Sequence, residues 1–370
     1  ITRLGIITTI GILVSLLVIL VTYAICVDLK LHQIKGSEGI NVSVDGLIKL
    51  LINFQHGSKS IFLILSMLFF CMFGINKFEI NNHIHDEFNK SSSLFKEMKF
   101  FDKNFGGYKQ VSFNFFYNDD LELDNLIKFE EEIEKLGFTI DRSLFGSLKD
   151  LKDLGSLDKT QLSIKSRMPD LGSKKSLELF EKVKLISKKL NIDIQLSGNG
   201  YLFDKLSDKI TLEILFGLLM AILTICLMFL VLSNFNFKYL LIVLIPNTFP
   251  ILVCIGLMSF TNFYFSLSNA FIFAIIFGLI VDDSIHIITS HRFHMKNGLD
   301  SKKAIDKSLK TTGRAVIKTT LIIIVTLVPL LFSEFNSIGQ LGMLTIISAI
   351  IAVVFDLIYL PKMIRGLIRK

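Results

Sequence analysis

From Leu4 to Cys26 the chain carries no charged residue, and comparable apolar runs recur along its length. A segment of this kind, close to twenty residues long, matches the ~30 Å hydrocarbon thickness of a bilayer when helical. In hydrocarbon only a helix or a closed barrel satisfies every backbone polar group. Runs ascribed to spans are Leu4–Cys26, Ile61–Asn76, Ile210–Leu232, Tyr239–Phe260, Leu267–Thr289, Val316–Phe332 and Leu341–Leu360. The second is the shortest, and Lys59 and Lys77 can snorkel from its ends. The chain is half hydrophobic, with mean hydropathy +0.57, which excludes an ordinary soluble domain. The expected fold is an all-α polytopic membrane bundle of about seven helices.

One hydrophilic block interrupts the pattern. Residues 77–209 change grammar: Val111–Tyr117 and Gln161–Met168 alternate as strands, and Ile192–Ser197 is a third. Leu123–Leu136 and Ser173–Leu190 have amphipathic helical spacing. The β-α-β-α-β order predicts an inserted α+β domain of split βαβ, ferredoxin-like type. The domain plan is then a span at 1–26, a linker at 27–60, a span at 61–76, the α+β domain at 77–209 and a five-helix bundle at 210–370. Val44–Ile52 reads equally well as an interfacial amphipathic helix or as an ordinary loop.

The net charge of +7 is concentrated in short stretches. Eight Lys and Arg lie between Ser290 and Lys318 against Asp300 and Asp306, and the tail adds Lys362, Arg365, Arg369 and Lys370. Basic residues beside spans face the cytoplasm, so 77–209 is expected outside and the C-terminus inside. This patterning argues against nucleic acid as a partner. Cys26, Cys71, Cys226 and Cys254 all sit in apolar runs without paired spacing and read as small buried hydrophobes. No nucleophile elbow or phosphate loop occurs, so neither an enzyme nor an ATP-driven machine is expected, and no cofactor.

Chemistry concentrates at Asp282 and Asp283, which follow the apolar run Phe271–Val281. A carboxylate at membrane depth costs at least ~2.5–3.5 kcal/mol and marks ion or proton pathways. Adjacent helical positions point ~100° apart, so the two face different surroundings. Gly278, Asp282 and His286 share a face, where the glycine admits a close neighbour and the histidine can exchange protons with Asp282. The competing reading is structural: the pair caps or packs against Thr319 and Thr320. Asp356 is a second polar site within the last span, and Pro246 and Pro250 predict a kink in the fourth. His286, His291 and His294 lie on no common face, and His83 and His85 open a loop read as solvated, so no metal site is expected.

From about residue 60 onward the chain resembles the C-terminal half of an RND-superfamily transporter of the MMPL, hydrophobe/amphiphile exporter branch, whose helices are similar to sterol-sensing domains. Phe78–Phe88, Leu196–Asp208, the PN-x-x-P run Pro246–Pro250, the G-x-x-V-D-D-x-I-H run Gly278–His286, Gly313–Leu330 and Asp356–Pro361 carry the resemblance, in order. It implies a porter-type outer domain and a proton relay through Asp282, with Asp283 beside it, Thr319 at the threonine position, and His286 one turn below. It departs from many relatives at Asp283, where tyrosine is common. The implied activity is proton-motive-force-driven export of lipids or other hydrophobic molecules across a bacterial inner membrane. Its partners would be membrane lipids, a lipidic substrate, protons and an N-terminal half bearing the matching helices, with homo-oligomers compatible. The alternative is a sterol- or lipid-sensing membrane protein that uses the same helices without transport.

The charge distribution makes a direct prediction about orientation. In a background lacking the four native cysteines, a single cysteine at Lys174 should react with an impermeant thiol reagent from outside intact cells. One at Lys302 should not, and labelling there would reverse the topology.

Overall fold

The computed structural model describes residues 2–29, 79–116, 123–141, 161–233, 235–260 and 264–367, with single positions at 46, 66, 69 and 72. The expected span Ile61–Asn76, most of the 27–60 linker and its amphipathic segment lie outside the described residues. Six described helices are long and apolar enough to cross a membrane. The first, α1 (Thr2–Asp28), belongs to a compact unit of its own and is described by itself. Its side chains are apolar on every side, and Thr8, Ser15 and Thr22 return their hydroxyls to carbonyls of their own helix. A helix apolar all round suits hydrocarbon.

The second unit holds a small sheet and the helical bundle. Helix α2 (Ser93–Asn104), which hydrophobic periodicity did not suggest, starts at Ser92, whose hydroxyl accepts from Phe95 N. Strand β1 (Lys109–Phe116), α3 (Leu123–Lys135), β2 (Thr139–Ile140), β3 (Gln161–Met168), α4 (Ser173–Lys189) and β4 (Gln195–Ser197) follow. This is a β-α-β-β-α-β order, with the strands arranged β2-β3-β1-β4 and every pairing antiparallel. The two-residue β2 was too short for a periodic signal. Alternation along β1 sends Val111, Phe113 and Phe115 into the core, where Phe113 lies opposite Ile164 in register. Leu126, Phe129 and Ile133 of α3, at helical spacing, and Phe180 and Val183 of α4 cover that face. Phe113 and Phe129 meet edge to face at 5.7 Å.

Helix α5 (Asn199–Leu232) begins in the sheet layer and continues as the next apolar span, so the boundary expected at 209/210 falls within one continuous helix. Gly198 permits this start. It has φ +101°, and a Cβ there would lie 2.7 Å from the Gln110 carbonyl of β1. A buried charge cluster then locks the helix to the sheet. The Lys109 ammonium of β1 donates to both oxygens of Asp204 on α5 at 2.6 Å and to Asp170 at 3.3 Å, and all three side chains are fully buried.

The remaining spans are α6 (Phe237–Phe260), α7 (Leu267–Lys296), α8 (Ser301–Leu327, continued by a 3-10 turn Val328–Phe332) and α9 (Asn336–Val354). A π-helical segment (Phe355–Tyr359) joins α9 to α10 (Leu360–Leu367). The basic stretch 290–318, expected as a connection, is helical except for a turn at Asn297–Asp300. Ala304, Ile305, Ser308 and Leu309 bury one face of it, which is amphipathic spacing that extends α8 below its apolar run. Helix α6 stays unbroken through Pro246 and Pro250, while Asn247 and Thr248 donate to the carbonyls of Val243 and Leu244.

Removing one partner of a buried ion cluster strands the others in low dielectric. Lys109→Ala should therefore destabilise the chain by roughly 3–5 kcal/mol, and Lys109→Met with Asp204→Leu should recover much of the loss. Thermal unfolding of the detergent-solubilised protein checks this. Equal loss in the single and double variants would show that the cluster is not the link.

Candidate functional site

Helix α7 is set in place by Ser266, which caps it by accepting from Asn269 N, and by an apolar stripe through Phe273, Ile276, Phe277 and Ile280. The stripe ends where the chain turns polar, at Asp282-Asp283-Ser284. The next positions after the stripe inherit its faces, and the three residues fan out around the helix.

Asp282 points away from the described bundle, with 72 % of its side chain exposed, and its Oδ1 lies 3.3 Å from Nε2 of His286. This is an i, i+4 pair on the Gly278 face. No described atom comes within 4 Å of a Cβ built on Gly278, so the close neighbour that a glycine would admit is not among the described residues.

Asp283 turns inward. It lines a small cavity between α7, α8 and α9 together with Thr320, Thr345 and Ser348. Ser348 also contacts Cys254 of α6 at 2.9 Å, so four helices meet around this space.

Ser284 completes the fan. It is fully buried and donates to Oδ1 of Asp356 at 2.5 Å, while Oδ2 of Asp356 has no hydrogen-bond partner among the described residues. Asp356 is entirely buried and lies close enough to Asp283 for their charges to interact. It sits in the π-helical segment, where one extra residue per turn re-aims the side chains at the cost of regular backbone bonding. Such bulges concentrate at functional sites. Helix α8 approaches this segment through Gly313, where a Cβ would meet Leu357 at 3.2 Å.

The predicted site residues thus fall into two groups. Asp283 and Asp356 share the interior, and Asp282 and His286 share the open face. Thr319 is exposed and returns its hydroxyl to Ala315 and Val316 of its own helix. The α8 hydroxyl that reaches the cavity is that of Thr320, which also bonds Val316. Gly313, Val316, Ile317 and Thr320 form a stripe at i, i+3, i+4, i+7, a spacing visible in the sequence that selects Thr320 over Thr319 as the inward position. Ser284 had no comparable signal, because its role depends on Asp356, 72 residues away. His291 is fully buried beside Ser301 at 3.3 Å, apart from the Asp282–His286 pair.

A second polar cluster was not anticipated. His83 and His85, expected on a solvated loop, are largely buried, with His85 only 8 % exposed. They converge on Asp170, the carboxylate already paired with Lys109. Burial alone would push the Asp170 carboxyl up. The two imidazoles and the Lys109 ammonium outweigh it and hold the group well below the usual carboxylate range.

No curated protein matches the chain. The family model described as "MMPL family" matches residues 150–364, more than half of the 370 residues, a stretch that runs from the sheet through the Asp282-Asp283-Ser284 fan to the π-helical segment. This is a multi-pass membrane protein, and it belongs to the MMPL family.

Proposed function

We propose that the chain is the C-terminal half of a proton-motive-force-driven RND-type exporter of lipids or other hydrophobic molecules, resident in a bacterial inner membrane with its C-terminus in the cytoplasm. The observation that carries this reading is the placement of two neighbouring carboxylates in different surroundings. Asp283 lines the interior cavity between α7, α8 and α9, and Asp282 faces outward beside His286. Acidic groups held at membrane depth are costly, and a proton pathway is the function that most directly uses them. One proton crossing 100 mV delivers ~2.3 kcal/mol, enough to bias a two-state packing of helices around the cavity.

In this mechanism Asp282 and His286 form the outer exchange pair, and the Gly278–Asp282–His286 face is where helices of an N-terminal half pack. Asp283, Ser284 and Asp356 form the inner station. Thr320 supplies a hydroxyl beside it, and Thr319 sits on the open side of the same helix. When Asp283 changes charge, Asp356 and its buried hydrogen bond to Ser284 feel the change through space. The β-α-β-β-α-β domain acts as a porter-type, ferredoxin-like module outside the membrane, and α5 links its motion to the bundle. Family membership supports a hydrophobic substrate.

The test is proton-driven efflux of a fluorescent lipid from proteoliposomes holding the complete transporter. Asp282→Asn and Asp283→Asn keep size but remove a titratable proton, and each should lower transport by about 100-fold or more without loss of folded protein. Thr319→Ala should cost less, because water can replace a hydroxyl in a relay. Full export by both aspartate variants under a proton gradient would overturn the relay and favour lipid sensing by the same helices.

Ser284→Ala separates a working inner station from inert packing. It deletes the only hydrogen bond described for the Asp356 carboxyl, so it should change the pH dependence of efflux while leaving the amount of folded protein near wild type. An unaltered pH profile would make Asp356 a structural residue.

A further inference from the structure

The residues preceding the sheet cross the outer ends of the bundle helices before entering the domain. Asn81 N and Phe265 N exchange backbone bonds with Phe265 O and Glu79 O, and Asn82 Oδ1 accepts from Leu267 N at the start of α7. Glu87 accepts from Ser268 at 2.6 Å and from Ser337, one on α7 and one on α9, so a single carboxylate holds the N-terminal ends of both helices. His83 and His85 project from this segment toward Asp170, which belongs to the loop between β3 and α4.

We propose that His83, His85 and Asp170 form a binding site for a divalent transition-metal ion of the zinc class, which staples the sheet domain to the segment that holds the ends of α7 and α9. The candidate ligand atoms all lie within 4.8 Å of one another. Nδ1 of His85 is 2.8 Å from Asp170 Oδ2, and Nδ1 of His83 is 3.7 Å from Oδ1. Zinc–ligand bonds of about 2.0–2.2 Å in a tetrahedron put neighbouring ligand atoms about 3.4 Å apart, so small ring rotations bring all three into range.

Four observations favour a cation over simple hydrogen bonding. The first is the buried Nδ1 of His83, which has no hydrogen-bond partner among the described residues and only a 3.7 Å contact to Asp170, so that a metal bond would offset more of its desolvation cost. Next, the far nitrogen of His85 has a carboxylate neighbour that can accept its N–H and orient the ring as a metal ligand. An Asp86 oxygen lies 3.4 Å from His85 Nε2. Third, the buried carboxylates Asp170 and Asp204 outnumber Lys109 by one charge, with Asp86 half-exposed beside them, and Lys109 is drawn toward Asp204 at 2.6 Å. A bound cation offsets that excess. Finally, a polar cavity of about 330 Å³, lined by His83, Asp86, Glu87 and Tyr264 among others, reaches the cluster on its His83 side and leaves room there for water. Two imidazoles and one carboxylate suit zinc, whereas calcium and magnesium prefer oxygen ligands alone.

The site is independent of the transport reading. Purified chain in detergent, stripped with chelator and titrated with Zn²⁺ alone, should retain one zinc per chain after gel filtration and unfold at a higher temperature than the stripped form. Asp86→Ala should weaken binding by about 10- to 100-fold, and H83A/H85A should abolish both retention and the thermal shift. His294→Ala, whose ring lies elsewhere on α7, should leave both intact. Cobalt substitution of the wild-type protein should give the intense visible bands of a low-coordinate site, a readout that does not depend on whether any variant folds. Substoichiometric zinc, zinc retained in H83A/H85A, or cobalt spectra of a six-coordinate aquo ion would each overturn the assignment and leave the histidines as hydrogen-bond donors to Asp170.

Discussion

Lys109 is fully buried, and so are the two carboxylates it bridges. A charged cluster of this kind is tolerated only because each ion finds the others at close range, and breaking it costs more than forming it returns. That asymmetry gives the cluster a mechanical meaning. β1 contributes the ammonium, α5 one carboxylate, and the β3–α4 loop the other, so the sheet and the first turns of α5 cannot separate without stranding a charge. Since α5 runs on without interruption through the apolar stretch, the sheet and the next span share a single helix.

The α7 fan uses the opposite device. Three consecutive polar residues cannot share a partner on one helix, since each is ~100° from the next. One therefore faces the open side, one the cavity and one the buried Asp356. The π segment lets Asp356 reach Ser284, and Gly313 lets α8 close over that segment. Helix geometry alone thus separates two adjacent carboxylates into an exposed and an enclosed environment, which a pair at i, i+4 would not achieve.

Much of this was legible from residue patterns where burial follows a period. The spans from α5 to α9 show as long, predominantly apolar runs, and β1, β3, α3 and α4 show through alternation or helical spacing, because each buries one face against the core. The misses share a cause. Helix α2 has no fully buried residue to impose a stripe and was marked only by its Ser92 cap. β2 is two residues long, and its place is set by pairing to β3. The helical course of 290–318 was hidden because charge dominates that stretch, although Ala304, Ile305, Ser308 and Leu309 carry the right spacing. In the site, the aspartate pair announces itself by its cost in hydrocarbon. Ser284–Asp356 and the His83–His85–Asp170 group are pairings of residues distant in the chain, and no local pattern encodes them.

The same distinction explains why the histidines read as a solvated loop. An H-x-H at the entry to a single 3-10 turn has no periodic burial to betray it, and its surroundings are supplied by Asp170, 85 residues beyond His85. Once the fold brings them together, Asp170 accepts from the backbone of Ile84 and His85 as well as from the His85 ring and Tyr108. One carboxylate thereby organises the segment entering the sheet domain while also sharing Lys109 with Asp204. Glu87, five residues after Asn82, repeats the strategy at the helix ends through Ser268 and Ser337. The end of the bundle where α7 and α9 begin is therefore fastened by single anions that each collect donors from several elements. Such a junction is specific in geometry but sensitive to any change in local charge, so a change at Asp170 is felt both by the sheet and by the segment that fixes α7, the helix carrying Asp282 and Asp283.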